Sequence, residues 1–172
     1  ESASETEIVV VSSSAKQGTV LNTPLAVVIT STSGATVTLD DGWIYLPSGN
    51  ISSVTPSSGQ VGTEVVIEGT AFLSGGSSIN QVSLDGVSVQ SIVFGNDTLI
   101  RVIAAASNAT NESGAIIVTS NAGASFTVES QWRYIEEGVV SSVQPSSGRL
   151  GTVVTINGTS LRGGGDNVLQ VF

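Results

Sequence analysis

Residues 53–63 read SVTPSSGQVGT and residues 142–152 read SVQPSSGRLGT, so eight of eleven letters return in register after 89 residues. The repetition extends well past this motif. AVVITSTSGATVTLDDGWIYL from Ala26 aligns with AIIVTSNAGASFTVESQWRYI from Ala115 at the same offset, with Trp43 and Tyr45 recurring as Trp132 and Tyr134. TEIVVVSSS from Thr6 aligns with TLIRVIAAA from Thr98 at an offset of 92, and the three-residue difference falls in a loop, where length changes are tolerated best. A constant spacing over separated segments points to one repeated unit, complete at 51–135, preceded by the back half of a unit at 1–46 and followed by the front half of another at 139–172. The connectors at 47–50 and 136–138 are too short to act as flexible tethers.

Composition and pattern agree on the kind of unit. The apolar residues are mostly Val, Ile and Ala, and Ser and Thr together fill 45 of 172 positions, a strand-and-turn composition. In TEVVIEG, Val65 and Ile67 share one face while Val66 and Glu68 share the other, the alternation of a half-buried strand. INQVSLDGVSVQSIVF reads as two strands about Asp85-Gly86, a hairpin signal because glycine tolerates a positive φ. LIRVIAA, GAIIVTS, ASFTVES and WRYI supply further strands, and no segment reads as a helix. About seven short strands per unit predict an antiparallel β-sandwich.

The opening V-x-P-x-x-G-x-x-G-T-x-V-x-I-x-G-x-x-F (Val54 to Phe72), a later V-x-L-x-G (Val82 to Gly86) and a closing Trp132-x-Tyr134 resemble the IPT/TIG family of immunoglobulin-like domains. The resemblance covers the complete unit and both halves. It implies a tandem array of immunoglobulin-like sandwiches of the kind found in cell-surface receptors, some transcription factors and repetitive microbial surface proteins. The third copy departs from the second by having Leu161 in place of Phe72. Transcription-factor members use basic loops on DNA. Those charges are missing here, which favours the extracellular or cell-surface branch.

Several function classes are excluded or weakened. A net charge of −9, with only Lys16, Arg101, Arg133, Arg149 and Arg162 on the positive side, opposes nucleic acid and anionic membrane surfaces. No apolar run approaches the roughly 20 residues of a spanning helix, so membrane insertion is not expected. The sequence opens at Glu1 without the basic and apolar regions of an export signal, so secretion is not read from it directly. Without His or Cys, serine–histidine and cysteine–histidine nucleophile systems and zinc sites are ruled out. Lys16 in AKQGT reads as a loop lysine rather than a catalytic base. The carboxylate pairs Asp40-Asp41 and Glu136-Glu137 point to opposite faces of an extended chain and do not converge. PSSGQVGT and RGGGDN lack the Lys-Ser/Thr ending of a phosphate loop and read as turns. No enzyme, metal or cofactor is expected. Trp43 and Trp132 are read as packing residues, with a sugar platform as the alternative.

Asn50, Asn96, Asn108, Asn111 and Asn157 each begin an Asn-x-Ser/Thr sequon, and loop positions make them candidate N-glycosylation sites. Asn50 is expected in a linker, Asn96 in a turn, Asn108 and Asn111 in a polar loop, and Asn157 on the solvent face of a strand.

Neither half unit is expected to bury its apolar face alone, and each should present an unpaired strand edge. A front half of one molecule and a back half of the next would rebuild a sandwich by strand complementation, a contact that propagates head-to-tail into a homo-oligomeric filament. The joint would use Ile8, Val9, Val10 and Val11 from one molecule, with Val153, Val154, Ile156, Val168, Leu169, Val171 and Phe172 from its neighbour. The competing readings are a window on a longer surface stalk or adhesin, and a module that binds a glycan or protein ligand.

Overall fold

The computed structural model describes residues 2–110 and 112–171. The chain divides into two compact units, Glu1–Pro47 and Ser48–Phe172. Every described element is a β-strand, and among the described residues no helix is long and apolar enough to cross a membrane.

The first unit holds β1 (Ser2–Ala3), β2 (Ile8–Val9), β3 (Pro24–Thr30) and β4 (Thr36–Ile44), arranged as two separate antiparallel pairs, β1–β2 and β3–β4. The second unit begins with the central sandwich: β5 (Asn50–Thr55), β6 (Ser58–Gly59), β7 (Glu64–Thr70), β8 (Ile79–Leu84), β9 (Val87–Ser88), β10 (Ser91–Gly95), β11 (Leu99–Ile103), β12 (Gly114–Ser120) and β13 (Ser125–Tyr134). One sheet runs in the order β10-β11-β7-β5 and the other β6-β13-β12-β8-β9. The second unit ends with the isolated pair β14 (Val139–Gln144) and β15 (Thr155–Thr159).

The alternation in TEVVIEG decides how the sheets stack. Val65 and Ile67 are buried on the inner face of β7, and across the ladder they stand opposite Val102 and Ile100, also buried. Val82 and Leu84 of β8, Ile116 and Val118 of β12, and Trp132 and Tyr134 of β13 close the core from the other sheet. Phe72 caps one end, its ring stacked on Phe126 with centroids 5.8 Å apart.

The PSSGxxGT motif is a strand-entry turn with identifiable parts. Thr63 Oγ1 accepts the Gln60 N–H at 3.1 Å, and Gly62 sits at φ 83°, a left-handed position that glycine adopts without steric cost. A Cβ on Gly69, further along the motif, would run into the Asn50 carbonyl and the Phe72 ring, so the glycine is needed for close approach of β5 and Phe72. The later copy repeats each part: Thr152 Oγ1 accepts the Arg149 N–H at 2.9 Å, Gly151 has φ 87°, and Gly158 faces the Val139 carbonyl and Leu161.

Four readings of the sequence are corrected. ASFTVES and WRYI form one strand, β13, broken in register where Ser130 takes φ 57°. Asn50 is not in a linker: it opens β5 and stands opposite Thr70 of β7. Asp40 and Asp41 do not simply alternate, because Asp41 lies at φ 54° in the matching irregularity of β4. Asp85 and Gly86 do form the expected hairpin between β8 and β9, both with positive φ, but the segment read as its second strand is two strands, because β10 leaves β9 and joins the other sheet.

Candidate functional site

The flanking halves reproduce the central sandwich pair by pair. In β3–β4 the partners Leu25↔Trp43, Val27↔Leu39, Val28↔Thr38 and Ile29↔Val37 correspond, 89 residues on, to Gly114↔Trp132, Ile116↔Val128, Ile117↔Thr127 and Val118↔Phe126 in β12–β13. In β14–β15, Val140↔Gly158, Ser142↔Asn157 and Val143↔Ile156 repeat Ile51↔Gly69, Ser53↔Glu68 and Val54↔Ile67, with the same register shift. The short pair β1–β2 keeps the 92-residue offset: Ser2↔Val9 and Ala3↔Ile8 match Phe94↔Arg101 and Gly95↔Ile100.

Among the described residues, neither flanking half has an opposing sheet packed on its pairs as in the central unit. Val65 of the central unit is fully buried and its counterpart Val154 is 47% exposed; Val118 is buried and Ile29 is 44% exposed. Trp132 is sealed in the core while Trp43, in the same place of the same hairpin, is 45% exposed. The flanking pairs β3–β4 and β14–β15 therefore carry exposed aliphatic side chains, Val27, Ile29, Val140 and Val154 among them, at positions that are buried in the central unit or pack against its core.

The residues expected at the joint lie only partly at such positions: Ile8, Val10, Val154 and Ile156 match buried positions of the central unit, whereas Val9 and Val153 match the exposed Arg101 and Glu64. Ile8 and Val9 form β2, with Val10 and Val11 exposed just beyond it. Val153 and Val154 precede β15, and Ile156, half-buried, lies within it. Val168, Leu169 and Val171 are exposed and in no strand, although their counterparts Ile79, Asn80 and Val82 belong to β8. In the central unit β12 supplies the ladder for β8, and residues 168–171 have no such neighbour among the described residues. Phe172 lies outside the described residues.

Four sequons are described. Asn50, Asn96, Asn108 and Asn157 are exposed; Asn111 lies outside the described residues. Asn96 occupies the β10–β11 turn, where its Oδ1 accepts the backbone N–H groups of Thr98 at 2.9 Å and Leu99 at 2.7 Å. Asn157 Nδ2 instead donates to Ser142 Oγ at 3.1 Å.

Among the described residues no three His, Cys, Asp or Glu side chains come together as metal ligands. Lys16 sits in a turn, its carbonyl accepting the Thr19 N–H at 3.0 Å. The depression beside Ile135, Leu161, Gly163 and Gly164 is walled mainly by glycine-rich backbone and holds no convergent set of nucleophile and base. The unpartnered buried polar atoms, Ser120 Oγ, Trp132 Nε1 and Tyr134 Oη, belong to the sealed core rather than to a cleft.

Among curated proteins no sequence matches the chain. An auxiliary nutrient binding protein from Bacteroides ovatus ATCC 8483 is similar in structure, at 20% identity and a TM-score of 0.42, over 55% of this chain and 22% of that one. The Plexin A4 full extracellular region, domains 1 to 10, is similar at 20% identity and a TM-score of 0.49, over 69% of this chain and 10% of that one. The chain thus spans a small fraction of either protein. The family model for the IPT/TIG domain matches residues 50–133, the central sandwich from its first strand to its last. Residues 50–133 are an IPT/TIG domain, an immunoglobulin-like antiparallel sandwich, and the registers of its front and back halves recur on either side of it.

Proposed function

We propose that the protein is an extracellular structural subunit that assembles head-to-tail, the front half of one molecule and the back half of the next combining into a further IPT/TIG-like sandwich. One observation carries this reading: the flanking pairs keep the registers of the central unit while the side chains that fill its core stand exposed in them. The central unit is the template for the joint. Its Ile67↔Ile100 and Val65↔Val102 pairs translate into Ile156 opposite Ile8 and Val154 opposite Val10. With Val27 and Ile29 from the opposing hairpin, six aliphatic side chains would leave water, at about 1.5–3 kcal/mol each before ordering entropy. Such a contact is heterologous, and repetition gives a filament rather than a closed ring. The central domain acts as spacer.

Glycans on the exposed sequons Asn50, Asn96, Asn108 and Asn157 would decorate its surface. Asn96 is the best presented of them, since its Oδ1 is fixed by two backbone donors. A loss of mass on treating source material with a glycosidase checks this, and no loss removes the proposal.

Electron microscopy of the concentrated full chain tests the assembly. Rods with a two-domain repeat are expected; a monodisperse monomer with both flanking halves ordered overturns it. A second reading, a segment of a continuous IPT/TIG stalk or adhesin, is favoured by the docked linker, in which the Gly138 N–H donates to Gln60 Oε1 at 2.7 Å. The mass of the protein in its source separates the two. A value near 17.3 kDa plus glycan supports complementation, and one many times larger supports the stalk.

A further inference from the structure

Two side-chain contacts and one cross-strand register pair join the front half of the central unit to its back half at places where the flanking halves differ in sequence. Arg101 Nε donates to Glu64 Oε1 at 2.7 Å, on the outer face between β11 and β7. Glu68 stands directly opposite Leu99 in the same ladder. The Phe72 ring stacks on Phe126.

At the offsets of 89 and 92 residues, the positions of Glu64 and Arg101 are taken by Val153 and Val9, those of Glu68 and Leu99 by Asn157 and Glu7, and those of Phe72 and Phe126 by Leu161 and Val37. In each case both members have changed, and changed compatibly. An ion pair has become two valines, a carboxylate opposite leucine has become an amide opposite a carboxylate, and an aromatic pair has become an aliphatic pair. Crossed combinations are poor. The central front half with the flanking back half would set Glu68 against Glu7, like charges directly across a ladder, and leave Glu64 without its arginine. The flanking front half with the central back half would leave Arg101 against Val153 and replace the Phe72 ring over Phe126 with the smaller Leu161.

We infer that the two flanking halves are matched to each other: the front half at 139–172 selects the back half at 1–46 of a second copy of this chain and discriminates against the back half of the central domain. This rests on the head-to-tail reading and deepens it. A front half closed by residues that follow it in a continuous stalk has no reason to fit Glu7, Val9 and Val37. A polymer built from near-identical sandwiches does need discrimination, because otherwise a neighbour's half could invade the central unit by exchange of equivalent strands.

The test uses the full chain in three forms: wild type, V153E/N157E, and E7L/V9R. Each double variant gives one flanking half the pattern of the central unit and leaves the other half unchanged. Two mismatched cross-strand pairs should weaken the assembly of either variant alone by roughly tenfold, read as the concentration dependence of mass in sedimentation or light scattering. An equimolar mixture should return to wild-type strength, since one kind of joint then carries the Glu64–Arg101 and Glu68–Leu99 pattern and the other is unaltered. Recovery in the mixture also shows that neither variant is misfolded. Wild type that assembles, with a mixture no stronger than its components, overturns the matching and leaves the head-to-tail reading standing; wild type that stays monomeric overturns both.

Discussion

Trp132 and Trp43 occupy the same place in two hairpins of identical register, each with a tyrosine two residues on and the rings edge-to-face at 5.6 and 5.9 Å. One tryptophan is sealed in a core and the other is half in water. The difference separates two kinds of information. Strand pairing, the bulge and the left-handed residue are local and reappear wherever the letters do. Burial belongs to the completed sandwich and appears only where a second sheet is present.

The largest expected effect breaks the comparison on the flanking side. Ile156→Asp or Val10→Asp places an uncompensated carboxylate where the proposed joint is driest, at a cost of several kcal/mol, so association should fall on the order of 1,000-fold. The melting transition of the central domain should not move. Filaments that persist in either variant remove the shared joint, whereas a shifted central melt would show that the halves support the central domain directly.

Next in size is the contrast between the tryptophans themselves. Trp132→Ala empties a large volume in a packed core and should destabilise the central domain by about 3–5 kcal/mol in a denaturant titration. Trp43→Ala should leave that transition in place and act on assembly alone. Equal shifts of the central transition would mean that the two hairpins are not separate environments.

Most of the register was legible in the sequence because it is carried by the repeat: once SVTPSSGQVGT and its second copy are aligned, the ladders of β14–β15 and β3–β4 follow from those of the complete unit. The irregularities at Asp41 and Ser130 were not legible. Aspartate and serine do not announce a positive φ as glycine does, and the two halves of β13 read as separate strands for that reason. Asn50 reads as linker because it follows the turn residues Pro47-Ser48-Gly49, yet its place in β5 is set by a partner, Thr70, some twenty residues away. Residues 168–171 show the converse: their pattern suits a strand, but a strand is a matter of hydrogen-bond partners, and the ladder that β12 gives to β8 has no counterpart there. The candidate joint is visible in the sequence as the apolar runs at 8–11, 153–156 and 168–172. The matched changes at Glu7, Val9, Val37, Val153, Asn157 and Leu161 emerge only when both offsets and the observed pairing are combined.

A smaller effect sharpens what burial means on the central side. Burial raises the Tyr134 hydroxyl pKa above its ordinary value of 10.0, with the negative charge of Asp85 adding to it, and Tyr134 Oη has no hydrogen-bond partner. The unfolded chain ionises this group more readily than the folded one. Its contribution is therefore fully present below about pH 10 and is lost as pH rises through the raised value. Tyr134→Phe should flatten the alkaline loss of stability of the central domain, and at neutral pH should change its stability by no more than about 1 kcal/mol, because no hydrogen bond is removed. An unaltered alkaline limb would assign that loss to other groups.

The smallest expected effect concerns the seam, where stability and identity part company. E64V/R101V gives the central unit the valine pair of the flanking halves. The Glu64–Arg101 ion pair has nearly half of each side chain exposed, so solvent screens it and its loss should cost less than about 1 kcal/mol in the central melt. What should change is the company the domain keeps. With Val153 and Val9 at the corresponding places, the edited seam no longer differs there from the flanking halves, and exchange between central and flanking strands should appear as cross-linked or irregular assemblies, resolved from regular rods by electron microscopy. Regular rods from E64V/R101V would show that this ion pair serves the fold of its own domain and takes no part in partner choice, leaving discrimination to the Glu68–Leu99 and Phe72–Phe126 positions.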